Sequence, residues 1–133
     1  MLGLIYEAKR AEARVVAFVR DSDGDVDRPG VIAEAIGKAQ QEFPDVDVIG
    51  GTAIPVLESW VLAMLGERKT ENLGKAAAQA KVVEKGIAAK DTSAMARAAA
   101  DFSLDGLPED AASLRAWLAR ARQVLPPAVS AAS

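Results

Sequence analysis

The segment that decides the fold is residues 14–27, which read Arg-Val-Val-Ala-Phe-Val-Arg-Asp-Ser-Asp-Gly-Asp-Val-Asp. Its apolar run at 15–19 is rich in β-branched side chains, which favours a β-strand buried on both faces. Four aspartates within seven residues follow almost at once. In a parallel α/β sheet, ligands bind in the crevice beyond the carboxyl ends of the strands. The order of these two segments therefore predicts a ligand site directly after the first strand.

The neighbours of this strand predict an α/β unit with parallel strands. Apolar residues recur at helical spacing over 3–13, and Pro29 suits the first turn of a helix that runs to about Glu42. A second short strand is predicted over 46–49, ended by the pair of glycines that follows it. Helix, strand, helix, strand is the order of parallel strands joined by crossover helices. We expect a short parallel sheet flanked by helices.

The second half of the chain is predicted to be helical. No convincing strand pattern follows Pro55, and a strongly apolar helix is expected over 55–65. Two alanine-rich helices are expected near 73–89 and 92–101. Since neither a repeat nor a second pattern of strands is present, residues 1–125 are predicted to form one domain.

The last helix is expected to begin at Pro108, with acidic residues in its first turn and arginines near its end. Leu114, Trp117 and Leu118 lie on its apolar face, so we expect them to be buried. Residues 126–133 are expected to form a frayed tail.

Composition excludes several classes of function. The 133 residues include neither cysteine nor histidine, which rules out disulfide scaffolds, thiol and imidazole catalysis and the usual zinc sites. Six aromatic residues are too few for an extended single-strand stacking surface. The net charge of −3 divides into −5 over residues 1–66 and +2 over 67–133. A basic surface formed by the second half is therefore compatible with the overall negative charge.

The sequence also predicts where the protein resides. No apolar run approaches the roughly 20 residues that cross a bilayer, and charged residues follow the first six too closely for a signal peptide. We therefore expect a cytoplasmic protein.

The aspartate cluster is the strongest chemical signal. Closely spaced carboxylates repel one another unless a cation or basic side chains neutralise them. Asp21 and Asp23 occupy alternate positions, so both carboxylates point the same way in an extended segment. Oxygen ligands of this kind suit Mg²⁺ or Mn²⁺. The alternative is a solvated turn in which the aspartates hydrogen-bond locally.

Two known metal motifs fit this segment poorly. Counted from Asp21, the glycine and glutamate positions of an EF-hand are held by Val26 and Ile32. A haloacid-dehalogenase-type phosphatase follows its first strand with Asp-x-Asp-Gly-Thr, whereas Asp25 stands here in place of the threonine. That family also needs a later lysine, for which Lys75 or Lys81 is available, and an acidic pair after another strand, for which the helical second half offers no place.

A third motif matches over residues 14–66. The strand followed by Asp-x-Asp-x-Asp resembles the metal motif of TOPRIM domains, which occur in topoisomerases, primases and nucleases of the overcoming-lysogenization-defect type. Residues 54–63, Ile-Pro-Val-Leu-Glu-Ser-Trp-Val-Leu-Ala, resemble the Glu-x-Trp helix of small bacterial TOPRIM-like proteins, some of them associated with phage defence. By its own pattern, Trp60 is a core residue and Glu58 lies on the exposed side of a helix N-terminus.

The resemblance implies Mg²⁺- or Mn²⁺-dependent phosphodiester chemistry on nucleic acid, as in a nuclease, in a defence or genome-maintenance setting. Asp21, Asp23, Asp25 and Glu58 are the implied metal ligands. Asp21, Asp23 and Glu58 are also the implied catalytic residues. The alternative from another functional class is a non-catalytic interaction subunit in which this site has degenerated.

The chain departs from the TOPRIM pattern at its start, where the family usually carries a strand ending in glutamate before the first helix. Without that strand, the strand at 15–19 is expected to leave one edge unpaired. We therefore expect self-association or a partner chain, with the interface beside this strand or along the apolar helix at 56–65.

Overall fold

Two parallel strands and six α-helices make up the computed structural model, which describes residues 2–88, 90–100 and 102–125. In chain order the elements are α1 (Leu2–Arg10), β1 (Val15–Asp21), α2 (Arg28–Glu42), β2 (Asp47–Ala53), α3 (Leu57–Met64), α4 (Lys75–Glu84), α5 (Thr92–Ala99) and α6 (Ala112–Val124), with short 3-10 helices at Thr70–Asn72 and Leu104–Gly106. Among the described residues no strand follows β2. The predicted α/β fold with a helical second half is confirmed.

The two strands pair in parallel, and the glycines lie inside β2 rather than after it. Phe18 is the register partner of Gly50. A Cβ on Gly50 would clash with the Phe18 ring and lie 2.8 Å from Cδ1 of Ile36. On the other face of the sheet, a Cβ on Gly51 would lie 3.0 Å from Cδ1 of Trp117. The prediction that the glycines end the strand is wrong, because they make room for side chains that pack on the sheet.

Strand β1 is longer and less buried than predicted. It runs to Asp21 instead of ending with the apolar residues. Val16 is buried, whereas Ala17 on the opposite face is exposed. The prediction of burial on both faces is therefore wrong for the middle of this strand.

Helices cover the sheet from both sides and form three apolar clusters. The cluster that joins α1 and α2 to one face of the sheet contains Ile5, Ala8, Val16, Ala39, Val46 and Val48. The cluster on the other face, with α3 and α6, contains Ala53, Trp60, Ala63, Leu107, Ala111 and Leu114. The third cluster packs α3 against α4 and α5 and contains Val56, Val61, Leu62, Ala78, Val82, Ile87 and Met95.

Helix α3 contributes to two of these clusters, and its residues 59–63 are all buried. Trp60 is only 3% exposed, which confirms it as a core residue. The apolar side chains at 60–63 are thus packed within the chain, whereas Leu57 at the start of the helix is exposed. An interface along 56–65 stays a prediction, and the exposed Leu57 is the side chain of α3 available for it.

Several helix ends differ from the prediction, and α6 differs most. It begins at Ala112 because Pro108 to Ala111 form a turn, with the Ala111 N–H donating to the Pro108 carbonyl (3.2 Å). Leu114 is buried as expected, whereas Trp117 and Leu118 are half-buried. The predicted tail at 126–133 lies outside the described residues. No described helix is long and apolar enough to cross a membrane.

The hydrogen bonds of the ladder show which backbone groups face outward. Asp47 N–H donates to the Arg14 carbonyl (2.8 Å), and Ser22 N–H donates to the Ala53 carbonyl (3.0 Å). Because the direction alternates along a strand, the even-numbered residues of β1 and the odd-numbered residues of β2 face the neighbouring strand. The other residues of each strand direct their N–H and C=O groups to the outer edges of the sheet.

Candidate active site

The acidic segment is held at the carboxyl end of the sheet by the loop that follows β2. Ser22, which is buried, donates its N–H to Ala53 and its hydroxyl to the Pro55 carbonyl (3.3 Å). The N–H of Asp23 donates to the same Pro55 carbonyl (3.0 Å). Asp23 and Gly24 both have left-handed backbone conformations, with φ of 52° and 79°, which turn the chain away from the strand. The two loops therefore position the acidic segment jointly.

Asp21 connects the end of β1 to the start of α3. Its Oδ1 accepts the Leu57 N–H at 2.7 Å, which satisfies one of the unpaired donors at the N-terminus of the helix. Glu58, the next residue, is half-buried. Thirty-six residues separate Asp21 from Leu57, so the tertiary structure, and not local sequence, brings the two carboxylates together.

The negative charges of these carboxylates act on one another. Partial burial raises the pKa of Asp21 above the ordinary value of 3.8, the Leu57 hydrogen bond lowers it, the negative charges of Glu58 and Asp23 raise it again, and Lys75 lowers it. The net direction is upward, so the protonated form of Asp21 is favoured relative to a free aspartate. A cation placed here would relieve this repulsion.

Asp23 and Asp25 contact basic side chains of the same chain. Arg28, at the start of α2, donates from Nη1 to the Asp21 carbonyl (2.8 Å) and to Oδ2 of Asp23 (3.4 Å), and its Nε lies 3.9 Å from Oδ2 of Asp25. Lys75 Nζ lies 3.7 Å from Oδ1 of Asp23. Arg28 and Lys75 therefore partly neutralise the negative charge of the cluster. Neutralisation by basic side chains is the alternative to neutralisation by a metal ion.

A cavity of about 320 Å³ opens at the end of β1 beside this cluster. Its charged lining consists of Asp21, Glu58, Lys75 and Lys90. Apolar and neutral polar residues complete the wall, namely Val19, Leu57, Gln79, Thr92 and Met95. The cavity thus presents two carboxylates and two amines to one small volume.

The structure brings only some of the predicted metal ligands together. Asp21 and Glu58 line the cavity, Asp23 adjoins it through Lys75, and Asp25 pairs with Arg28 outside it. Across residues 2–88, 90–100 and 102–125, no three acidic side chains gather in an arrangement that could hold a metal ion. Metal binding by these carboxylates stays a prediction.

The basic residues of the site were not predicted from the motif. In the sequence, Lys75 and Lys81 are candidates only for the lysine of the phosphatase alternative. The structure places Lys81 beside Glu67 instead (3.8 Å). Arg28 directly precedes the proline that marks the start of α2, and that position was its only available signal. Lys90 lies in the loop before α5, which no sequence pattern connects to β1.

Comparison of the chain with protein-family models, with curated proteins and with solved structures finds no match.

Proposed function

We propose that the protein carries out divalent-metal-dependent phosphodiester chemistry on nucleic acid, as a TOPRIM-like nuclease. The observation that carries the proposal is the meeting of Asp21 and Glu58, from separate elements, in one cavity with Lys75 and Lys90. A site for a metal ion and a phosphate group needs carboxylates next to amines, because the carboxylates bind the cation and the amines bind the phosphate oxygens.

The donor set fits Mg²⁺ or Mn²⁺. Mg²⁺ in phosphate sites is bound by one or two carboxylates and retains several waters, so Asp21 and Glu58 suffice. Because Oδ1 of Asp21 accepts from Leu57, its Oδ2 is the oxygen left for the cation. A bound cation would supply polarisation of the phosphate and a water of lowered pKa.

The residues of the chain divide the remaining work. The Leu57 N–H fixes the orientation of the Asp21 carboxylate, and the Lys75 and Lys90 amines provide positive charge for phosphate oxygens. Arg28 fixes the loop that carries Asp23 by binding the Asp21 carbonyl. Asp23, beside Lys75, is available as a further ligand once that lysine turns to the phosphate.

A metal titration of thermal stability tests the proposal. Binding at ten times the dissociation constant stabilises a fold by about 1.4 kcal/mol, so the wild-type melting temperature should rise by a few degrees with millimolar Mn²⁺. Asp21→Asn keeps the oxygen that accepts from Leu57 but loses the charge, and Glu58→Gln is the matching change on α3. Both should lose the response, together with Mn²⁺-dependent cleavage of DNA or RNA.

Glu34→Gln is the matched control, because Glu34 is an exposed carboxylate on α2 that pairs with Lys38 (3.3 Å) away from the cavity. It should respond to Mn²⁺ as the wild type does. An identical metal response in the wild type, Asp21→Asn and Glu58→Gln would refute the proposal.

A second candidate function is a non-catalytic interaction subunit, and the contacts of Arg28 favour it. Where Arg28 and Lys75 serve as permanent counter-ions, the acidic loop needs no metal. In that case neither Mg²⁺ nor Mn²⁺ raises the melting temperature. Arg28→Ala would then lower the stability by unpairing Asp23 and Asp25, and added metal would not restore it.

A further inference from the structure

The outer edge of β2 is covered along its first half only. Val48 faces outward, and its N–H donates to Oε1 of Gln40 (3.1 Å) while its carbonyl accepts from Nε of Arg120 (3.4 Å). Gln40 also donates to the Val46 carbonyl and accepts from Nη2 of Arg120 (3.1 Å). The amide of Gln40 thus takes the place of a neighbouring strand, and α2 and α6 meet across this part of the edge.

The second half of the edge has no such cover. Gly50 and Thr52 also face outward, and no described residue forms a hydrogen bond with their outward N–H or C=O groups. Thr52 is nevertheless only 7% exposed. Gly50 beside it is half-buried. The outward C=O of Gly50 and the outward N–H of Thr52 therefore remain as an acceptor and a donor for a ligand that supplies both.

A slot of about 230 Å³ lies at this uncovered segment. Its floor is Gly50–Thr52, and its walls come from α2 (Pro29, Ile32 and Ala33) and from α6 (Ala116 and Trp117). Two largely apolar walls facing each other over a hydrogen-bonding floor suit a flat ring, with its faces against the walls and its edge on the strand.

The size of the slot decides between a ring and an added strand. At roughly 3.3 Å per residue, the two outward residues span about 7 Å, which matches a ring system and is too short for a paired strand. Gln40 and Arg120 block extension toward the start of β2. The volume also lies below the roughly 300–1,000 Å³ of sites for drug-sized ligands, which indicates a fragment-sized occupant.

We propose that this slot binds a nucleobase, the base hydrogen-bonding to the Gly50 carbonyl and the Thr52 N–H and packing between α2 and α6. Nucleobases carry adjacent donors and acceptors on their edges, and proteins that read an unstacked base combine such hydrogen bonds with packing on apolar or aromatic side chains. The slot is distinct from the cavity at Asp21, so this proposal does not depend on metal chemistry.

The test is a titration of the ¹⁵N-labelled protein with adenosine, cytidine, guanosine and uridine, each in the presence of a metal chelator. Nucleosides carry no phosphate, so binding at the slot is separated from the proposed phosphodiester site. At least one nucleoside should produce saturable amide shifts at Gly50 and Thr52. The amide of Val48, already bonded to Gln40, should shift much less.

Ala116→Leu narrows the slot from α6 and should weaken binding at least tenfold. Ala119→Leu, one turn further along the same helix and outside the slot, is the control and should leave binding unchanged. Should Ala116→Leu fail to fold, Ala33→Leu narrows the opposite wall and should give the same loss.

Three results would overturn the proposal: no saturable shift at Gly50 or Thr52 with any of the four nucleosides, binding that Ala116→Leu does not weaken, or shifts confined to the Asp21 cavity. None of these results bears on the metal response of Asp21 and Glu58, so the two proposals fail separately.

Discussion

The two outer edges of the sheet are treated differently. Gln40 and Arg120 bond to β2 at Val46 and Val48. On β1, no described residue forms a backbone hydrogen bond with the outward groups of Val15, Ala17 or Val19. The contrast shows that one glutamine and one arginine from neighbouring helices can cover the first half of an edge in the way that a third strand would.

The same contrast extends to the faces and ends of the strands. β2 is packed on one face by Phe18 and on the other by Trp117, both of which lie over glycines. β1 has an exposed alanine at its centre and ends in Asp21, where β2 ends in the buried Ala53. We therefore expect substitutions around β2 to affect stability and those along β1 to affect association and charge.

Trp117→Ala should have the largest effect. The indole packs on Gly51 and donates to the Phe18 carbonyl (3.0 Å), so it joins α6 to both strands. We expect the free energy of unfolding to fall by about 3 kcal/mol, as measured from the midpoint of denaturant unfolding. This value is at the lower end of the range for tryptophan-to-alanine substitutions because the ring is half-buried. Leu125→Ala, at an exposed position after α6, should change stability by less than about 0.5 kcal/mol. An unchanged midpoint for Trp117→Ala would show that α6 is not needed to hold the sheet.

Gly50→Ala should have the next largest effect. Its new methyl group would meet the Phe18 ring and Ile36, so we expect a loss of about 1–3 kcal/mol from overpacking. Gly51→Ala, with its nearest contact at 3.0 Å, should cost less. Combining Gly50→Ala with Phe18→Leu should recover part of the loss. Equal costs for the two glycine variants would contradict the packing described for β2.

The uncovered edge of β1 predicts self-association. A substitution that blocks this edge should prevent association while changing the stability of the fold very little. We expect the purified protein to form dimers at micromolar concentration through this edge, since exposed edge strands pair with other chains. Ala17→Lys places a charge at the exposed centre of β1 and should yield monomers by light scattering, whereas Ala119→Lys on α6 should not. A wild-type protein that stays monomeric across this range would count against an interface at β1.

The smallest effect concerns the charged end of β1. Because burial raises the pKa of Asp21 above 3.8, the folded state binds this proton more tightly than the unfolded state does. The contribution of Asp21 to stability therefore falls as pH rises from about 3.8 through the raised pKa. In the absence of metal, Asp21→Asn should melt above the wild type at pH 7, and the difference should disappear below pH 3.8. A difference that is independent of pH would assign the effect to hydrogen bonding instead of charge.

Local sequence patterns were sufficient for most of the secondary structure. β-branched residues at 15–19 predicted β1, and the proline near the start of α2 with helical spacing after it predicted that helix. These patterns act over a few residues, so propensity and periodicity report on them directly. The sequence also predicted the position of the acidic segment, because ligand sites in parallel sheets form at the carboxyl ends of the strands.

Tertiary structure alone decided the role of the glycines, the cover of the β2 edge and the composition of the site. In the sequence, Gly50 and Gly51 indicate the end of a strand. Their position inside β2 is explained only by the rings of Phe18 and Trp117, which pack on them. Lys75 and Lys90 join Asp21 through packing of α4 and the α5 loop. Such contacts join residues far apart in the chain, and their energy depends on shape and distance, which a local pattern does not encode.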